Sequence, residues 1–190
     1  MTMNDRWLFM RTFWKRPREV GSVTPSSVYL ARAMAKAVPW SEVRAFAELG
    51  AGTGAITRYL DRMRYDDTAG HLFEKDPALR RRLSEAYPHY RCHDDALGMT
   101  SVLARERLPA FDCIFSGLPF FNFEQGLRDR LLAQISQSLA PGGYFVAFQY
   151  SLQMRGQLRR HFDIQELRFV AANFPPAFVY VCRKRPDRME

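Results

Sequence analysis

The residues best suited to chemistry begin at Glu48-Leu49-Gly50-Ala51-Gly52-Thr53-Gly54, where a carboxylate is followed by three glycines at alternate positions. An apolar run over residues 45–49 precedes them and reads as a strand; helical periodicity follows. Glycines in such a turn permit positive φ and let a ligand approach the backbone closely. The start of the next helix offers unpaired N–H groups. Glu74 ends the next strand-like run, residues 71–73, and a carboxylate there suits a ribose diol. Gly50, Gly52 and Ala55 also fit the G-x-G-x-x-G/A spacing of a dinucleotide site. Alone, the glycine pattern therefore leaves open which adenosine-bearing cofactor is bound, or whether the turn is purely structural.

The elements around these residues describe an alternating α/β chain. Residues 111–116 (FDCIFS) and 144–150 (YFVAFQY) read as further strands, the second introduced by Pro141-Gly142-Gly143. Leu79, Leu83, Ala86 and Tyr87, and then Leu127, Leu131, Ile135 and Leu139, form helical stripes that turn one apolar face to a sheet. Such alternation predicts a mostly parallel sheet with helices on both faces. Residues 164–171 and 178–183 are strand-like and lie too close for a helix between them, so they are expected to pair antiparallel. Upstream, a helical wheel puts Met3, Trp7, Met10, Phe13 and Trp14 on one side and Arg11, Lys15 and Arg16 on the other. A second helix is expected from an N-cap at Thr24, with Pro25 in its first position, through Ala37. The expected division is residues 1–43 as N-terminal amphipathic and lid helices and 44–190 as the α/β domain that carries the glycine loop.

The chain of 190 residues is long enough for one full core, and its formal charge of +8 is almost all arginine, since only Lys15, Lys36, Lys75 and Lys184 are lysine. Arginine binds phosphate bidentately, which suits an anionic membrane surface or nucleic acid. The odd cysteine number, 3, without C-x-x-C spacing excludes a disulfide scaffold or cysteine-rich zinc site. The 4 histidines, His71, His89, His93 and His161, form no ligand spacing, so no metal is expected. No apolar run approaches the ~18 residues of a membrane span. The expectation is a soluble, cytoplasmic protein.

Over roughly residues 44–183 the chain resembles the class I S-adenosylmethionine-dependent methyltransferases, a Rossmann-like fold. Glu48, Gly50, Gly52 and Gly54 lie in a segment similar to that family's first motif. Glu74 resembles its ribose-binding acid, and Asp95-Ala96 the acidic motif beside the adenine; read without the family, Asp94 and Asp95 are ordinary loop acids. A narrower resemblance is to the bacterial soluble phospholipid N-methyltransferases. It rests on Val20-Gly21-Ser22-Val23-Thr24-Pro25-Ser26-Ser27, Ser116-Gly117-Leu118-Pro119-Phe120 and Asn173-Phe174-Pro175-Pro176-Ala177. It implies S-adenosyl-L-methionine as cofactor and N-methylation of phosphatidylethanolamine toward phosphatidylcholine by an enzyme peripheral to the inner face of the membrane.

On that reading Tyr29 and Tyr150 are candidates for orienting the amine, and Ser116 is expected beside the methyl group. Phe120, Phe121 and Phe123 offer aromatic faces to a methylated ammonium, or simply pack in the core. The N-terminal helix is expected to lie on the membrane surface and cover the cofactor pocket. The rival within the fold is N6-methylation of adenine in ribosomal RNA, whose fourth motif, Asn/Asp-x-Pro-Tyr/Phe, holds the target amine. Here that position is Gly117, which has no side chain to do so. A non-catalytic module of the same fold that binds lipid or RNA is the alternative from another class. The oligomeric state is not legible.

Overall fold

The computed structural model of the chain describes residues 25–185, so the expected helix around residues 3–16, the Thr24 cap and most of the 20–27 segment lie outside the described residues. The described chain starts in helix α1 (Pro25–Ala35), with Pro25 in its first position, and α1 ends two residues before the expected Ala37. It continues through β1 (Ala45–Leu49), α2 (Thr57–Met63), β2 (Ala69–Phe73), α3 (Pro77–Ala86), β3 (Arg91–His93), α4 (Met99–Glu106), β4 (Phe111–Ser116), α5 (Gln125–Ser138), β5 (Leu139–Gln149), α6 (Arg155–His161), β6 (Phe162–Val170) and β7 (Ala177–Lys184). The seven strands form one sheet in the order β3-β2-β1-β4-β5-β7-β6. Neighbours from β3 to β5 run parallel, while β7 is antiparallel to both β5 and β6. The Rossmann-like, mostly parallel sheet and its antiparallel end are as the sequence predicts.

Burial explains the central strands. Every residue of β1 is buried, as a parallel strand covered on both faces requires. One core layer joins the sheet to Met99 and Val102 of α4, Leu131 and Ile135 of α5 and Leu158 of α6. The opposite layer joins it to Leu30 and Met34 of α1, Leu60 of α2 and Leu83 of α3. Trp40 ties α1 to that second layer: its ring stacks on Phe115 at 5.8 Å while Nε1 donates to the Ala35 carbonyl at 2.7 Å.

Three features escape the sequence reading. Strand β3 is a single three-residue segment with no apolar run, held by pairing His71↔Arg91 through Phe73↔His93. The Pro-Gly-Gly turn lies inside β5, where the register breaks: pairing with β4 jumps from Phe111↔Leu139 to Cys113↔Tyr144. Gly143 is required there, because a Cβ would stand 2.9 Å from the Ala140 carbonyl oxygen. His71 and His93, scattered in sequence, stack at 5.3 Å with Nδ1 of the first 3.0 Å from Nε2 of the second.

Candidate active site

Parallel strands place their C-terminal ends together, and the expected site residues other than Tyr29, which lies on α1, fall at or just after those ends. Leaving β1, the chain passes Gly50, Gly52 and Gly54 with φ of 70°, 56° and 82°, values that disfavour any residue bearing a Cβ. The first turn of this loop is anchored by Gly50 N–H donating to the Phe73 carbonyl at 2.8 Å. Glu74, leaving β2, closes it: Oε2 accepts from Gly52 N–H at 2.8 Å and Oε1 from Asp76 N–H at 2.9 Å. Glycine loop and second-strand acid are therefore one hydrogen-bonded unit.

Glu48 is the unusual group. Its side chain is buried, Oε2 accepts the Thr57 hydroxyl at 2.7 Å, and Oε1 is buried without any partner. Burial pushes the carboxyl up to about 8, against the smaller opposing pull of the Thr57 bonds. A buried carboxyl with one free oxygen under a glycine loop is the fit expected for a cationic group of a bound cofactor. Asp95 is exposed and caps the short turn Ala96–Gly98 through Leu97 N–H at 2.9 Å.

The loop after β4 packs directly on the glycine loop. Gly117 N–H donates to the Leu49 carbonyl at 2.8 Å, and a Cβ on Gly117 would stand 3.1 Å from the Gly50 carbonyl oxygen. A Cβ on Gly50 would in turn meet Leu118 at 2.9 Å. The two loops fit because both positions lack side chains. Ser116 is fully buried and its Oγ accepts Leu118 N–H at 3.2 Å, which fixes the turn. Gln149, a buried polar residue within an apolar strand, donates Nε2 to the Leu118 carbonyl at 3.1 Å. The Gln149 and Thr57 contacts were not foreseen; the signal in the sequence was a polar residue inside the run YFVAFQY and a threonine nine residues after Glu48.

Tyr150 follows β5, half-buried, with its ring edge-on to Phe148 at 5.6 Å. Burial raises its phenol above the usual value, with the hydrogen-bonded Asn173 side chain pulling the other way, so the hydroxyl stays protonated near neutrality. Asn173 is buried and donates Nδ2 to the Pro175 carbonyl at 2.7 Å, a bond within the loop that joins β6 to β7. Tyr29 is exposed on the first turns of α1 and makes no hydrogen bond among the described residues. The three phenylalanines part company. Phe120 is fully buried, edge-to-face with Phe123 and Phe145, whereas Phe121 is exposed. Core packing, the plainer of the two expectations, is what Phe120 does.

The arginine run on α3 also divides. Arg80 donates to the Glu74 carbonyl at 2.9 Å, Arg81 pairs with Glu85 at 3.0 Å, and Arg82 lines a cleft of about 200 Å³ beside Gly52, Thr53 and Tyr87. Among the described residues no group of three metal-ligating side chains assembles, and no helix is long and apolar enough to cross a membrane.

No family model matches the sequence. The ornithine lipid N-methyltransferase of Singulisphaera acidiphila is 33% identical over 186 residues, which cover 95% of this chain and 97% of that protein. Among solved structures, the N-methyltransferase NodS of Bradyrhizobium japonicum in complex with S-adenosyl-L-homocysteine superposes with a TM-score of 0.70 at 15% identity, covering 91% of this chain and 98% of that one. The TehB-like S-adenosylmethionine-dependent methyltransferase of Corynebacterium glutamicum gives a TM-score of 0.60 at 16% identity, with coverage of 97% and 100%. At these identities the solved structures establish the fold alone.

Proposed function

Because the chain belongs to the S-adenosylmethionine-dependent lipid N-methyltransferases, we propose that its acceptor is the primary amine of a membrane-lipid headgroup, phosphatidylethanolamine being the acceptor the sequence motifs favour. The observation that carries this reading is the 33% identity sustained over 95% of the chain. The name of that relative favours a second acceptor, ornithine lipid, which presents a primary amine of the same kind.

When bound, S-adenosylmethionine supplies an electrophilic methyl group on a sulfonium. The chain's own residues fit that cofactor at three points. Glu48 would receive the ammonium of its amino-acid end on the unpaired Oε1. Glu74, already held by Gly52 and Asp76, would accept the ribose hydroxyls. The turn that Asp95 caps, starting at Ala96, would lie against the adenine.

The acceptor nitrogen must arrive neutral, because an ammonium has no lone pair to offer. Tyr29 and Tyr150 remain the residues proposed to orient it. A protonated Tyr150 phenol accepts an N–H through its oxygen without itself acting as a base. Ser116 is then a positioning residue, since its oxygen holds the turn that carries Leu118 rather than facing a reactant. The remaining assistance is orientation and exclusion of water.

The test offers radiolabelled S-adenosylmethionine with phosphatidylethanolamine, ornithine lipid or ribosomal RNA to the purified full chain. Label in a lipid amine is the expected result, and the ratio of the two lipid rates chooses between them. Gly117→Asn should lower lipid methylation without creating adenine methylation, because the added side chain presses on the Gly50 carbonyl. RNA labelled faster than either lipid overturns the reading.

A further inference from the structure

The mouth of the site is divided by charge. Glu74, Lys75, Asp76, Asp94 and Asp95 surround the ends of β2 and β3, on the side where the glycine loop and Glu74 lie. The other side is built from residues 117–124 after β4, 150–154 after β5 and 171–176 between β6 and β7. In these three segments Glu124 is the sole charged residue. The pairings Gln149↔Phe178 and Val170↔Ala177 bring the third segment to the same end of the sheet as the first two.

Large apolar side chains face water on this half. Phe121, Leu152, Phe169 and Phe174 are 41%, 43%, 58% and 73% exposed, and each lies in or beside one of the three segments. Phe169 packs against Phe178 across the β6–β7 pair, with ring centroids 5.1 Å apart. Just behind them stand two arginines. Arg155 opens α6, exposed and without an ion pair among the described residues. Arg128, in the first turns of α5, meets Met154 Sδ at 3.9 Å, keeps a buried Nε without a partner, and likewise has no carboxylate partner among the described residues. Apolar tips backed by guanidinium groups that no carboxylate neutralises are the arrangement that partitions into a headgroup layer, with the tips among acyl chains and the cations at the phosphates.

We propose that this apolar half of the rim is a membrane-docking surface, which seats the sheet's C-terminal end on the lipid monolayer that bears the acceptor. The inference rests on the lipid reading above and adds the face that meets the lipid. It also explains the division of charge: the water-soluble cofactor enters by the charged half, where Arg82 of the glycine-loop cleft stands near the carboxylates, while the amine arrives from the monolayer through the apolar half.

The test is co-sedimentation of the full chain with vesicles of phosphatidylethanolamine and phosphatidylglycerol. Leu152→Asp and Phe174→Asp should each lower vesicle partitioning by about tenfold, the effect of losing one large apolar side chain from the interface. Tyr65→Asp, on an exposed tyrosine at the opposite end of the sheet, should leave it unchanged. Calorimetric binding of S-adenosylhomocysteine by each variant checks that the domain is intact. Wild-type protein that stays in the supernatant, rim variants that sediment like wild type, or an equal loss in Tyr65→Asp would each overturn the proposal. The lipid reading fails separately, if wild-type protein methylates no lipid amine in detergent micelles, whatever the vesicles report.

Discussion

If Glu48 receives the cofactor's ammonium, binding must expel a proton. The free carboxyl, raised to about 8 by burial, is ~90% protonated at pH 7. An ammonium resting on the unpaired Oε1 favours the carboxylate, and opposite charges in contact lower such a carboxyl by ~1–3 units or more in a buried site. Binding of S-adenosylhomocysteine at pH 7 should then release ~0.4 proton for a one-unit lowering and ~0.9 for three units, before a small correction for ligand whose own amine is neutral. By linkage, the association constant should fall from pH 7 to pH 6 by about 2-fold for the one-unit lowering and about 8-fold for three units. Titration calorimetry in two buffers of different ionisation enthalpy counts the protons directly. Glu48→Gln keeps an acceptor for the Thr57 hydroxyl, so it should fold, bind ~5–150-fold more weakly and release no proton. Wild-type binding at ordinary affinity with no proton released would refute the reasoning, since Glu48 would then be ionised beforehand or remote from the ammonium.

Two further outcomes follow from the same geometry. Glu74→Ala removes the acceptor that holds Gly52 N–H together with the proposed ribose contacts, and should weaken cofactor binding by about 1–3 kcal/mol; an unchanged dissociation constant would show that the acid does not face the ligand. The His71–His93 pair should make the fold acid-sensitive. Burial, and then the neighbouring His93, lower His71 to about 4, so it stays neutral in the fold while the unfolded chain protonates near 6.5. Stability is therefore unaffected above pH ~6.5 and falls by about 3 kcal/mol in all as pH drops from there to ~4. His71→Leu should flatten that slope in denaturant titrations between pH 6.5 and 4, even though it lowers stability at neutral pH by leaving the His93 N–H unpaired. An unaltered slope would mean the pair carries no proton linkage.

What could be read from the sequence divides along physical lines. β1 and β4 were legible to the residue because buried parallel strands are apolar on both faces and end at glycine or serine turns. The antiparallel finish was legible because two strand-like runs stood too close for a crossover helix. β3 was not, because three residues at Arg91–His93 owe their extended form to pairing with β2 rather than to any pattern of their own. The candidate site behaves likewise. Glycine spacing named the loop and its acids, since the requirement for positive φ acts on residue type locally. The relations that give those residues their chemistry are tertiary: the lone oxygen of Glu48, the Gln149 bond to Leu118 and the clasp between Gly50 and the 117–118 turn.

The His71–His93 contact shows how sharply that limit falls. The residues are 22 apart, and no ligand or catalytic spacing connects them. They meet because β3 pairs with β2 in the one register that sets His93 beside Phe73. Arg105 Nη2, 3.2 Å from His93 Nδ1, must donate there, since a guanidinium has no lone pair; the His93 proton then resides on Nε2 and points at His71 Nδ1. The tautomers of both rings are thus fixed by an arginine one helix away. Protonating His71 would turn the 3.0 Å contact into two opposed N–H groups, which is why this pair, invisible to spacing, should set the acid limit of the fold.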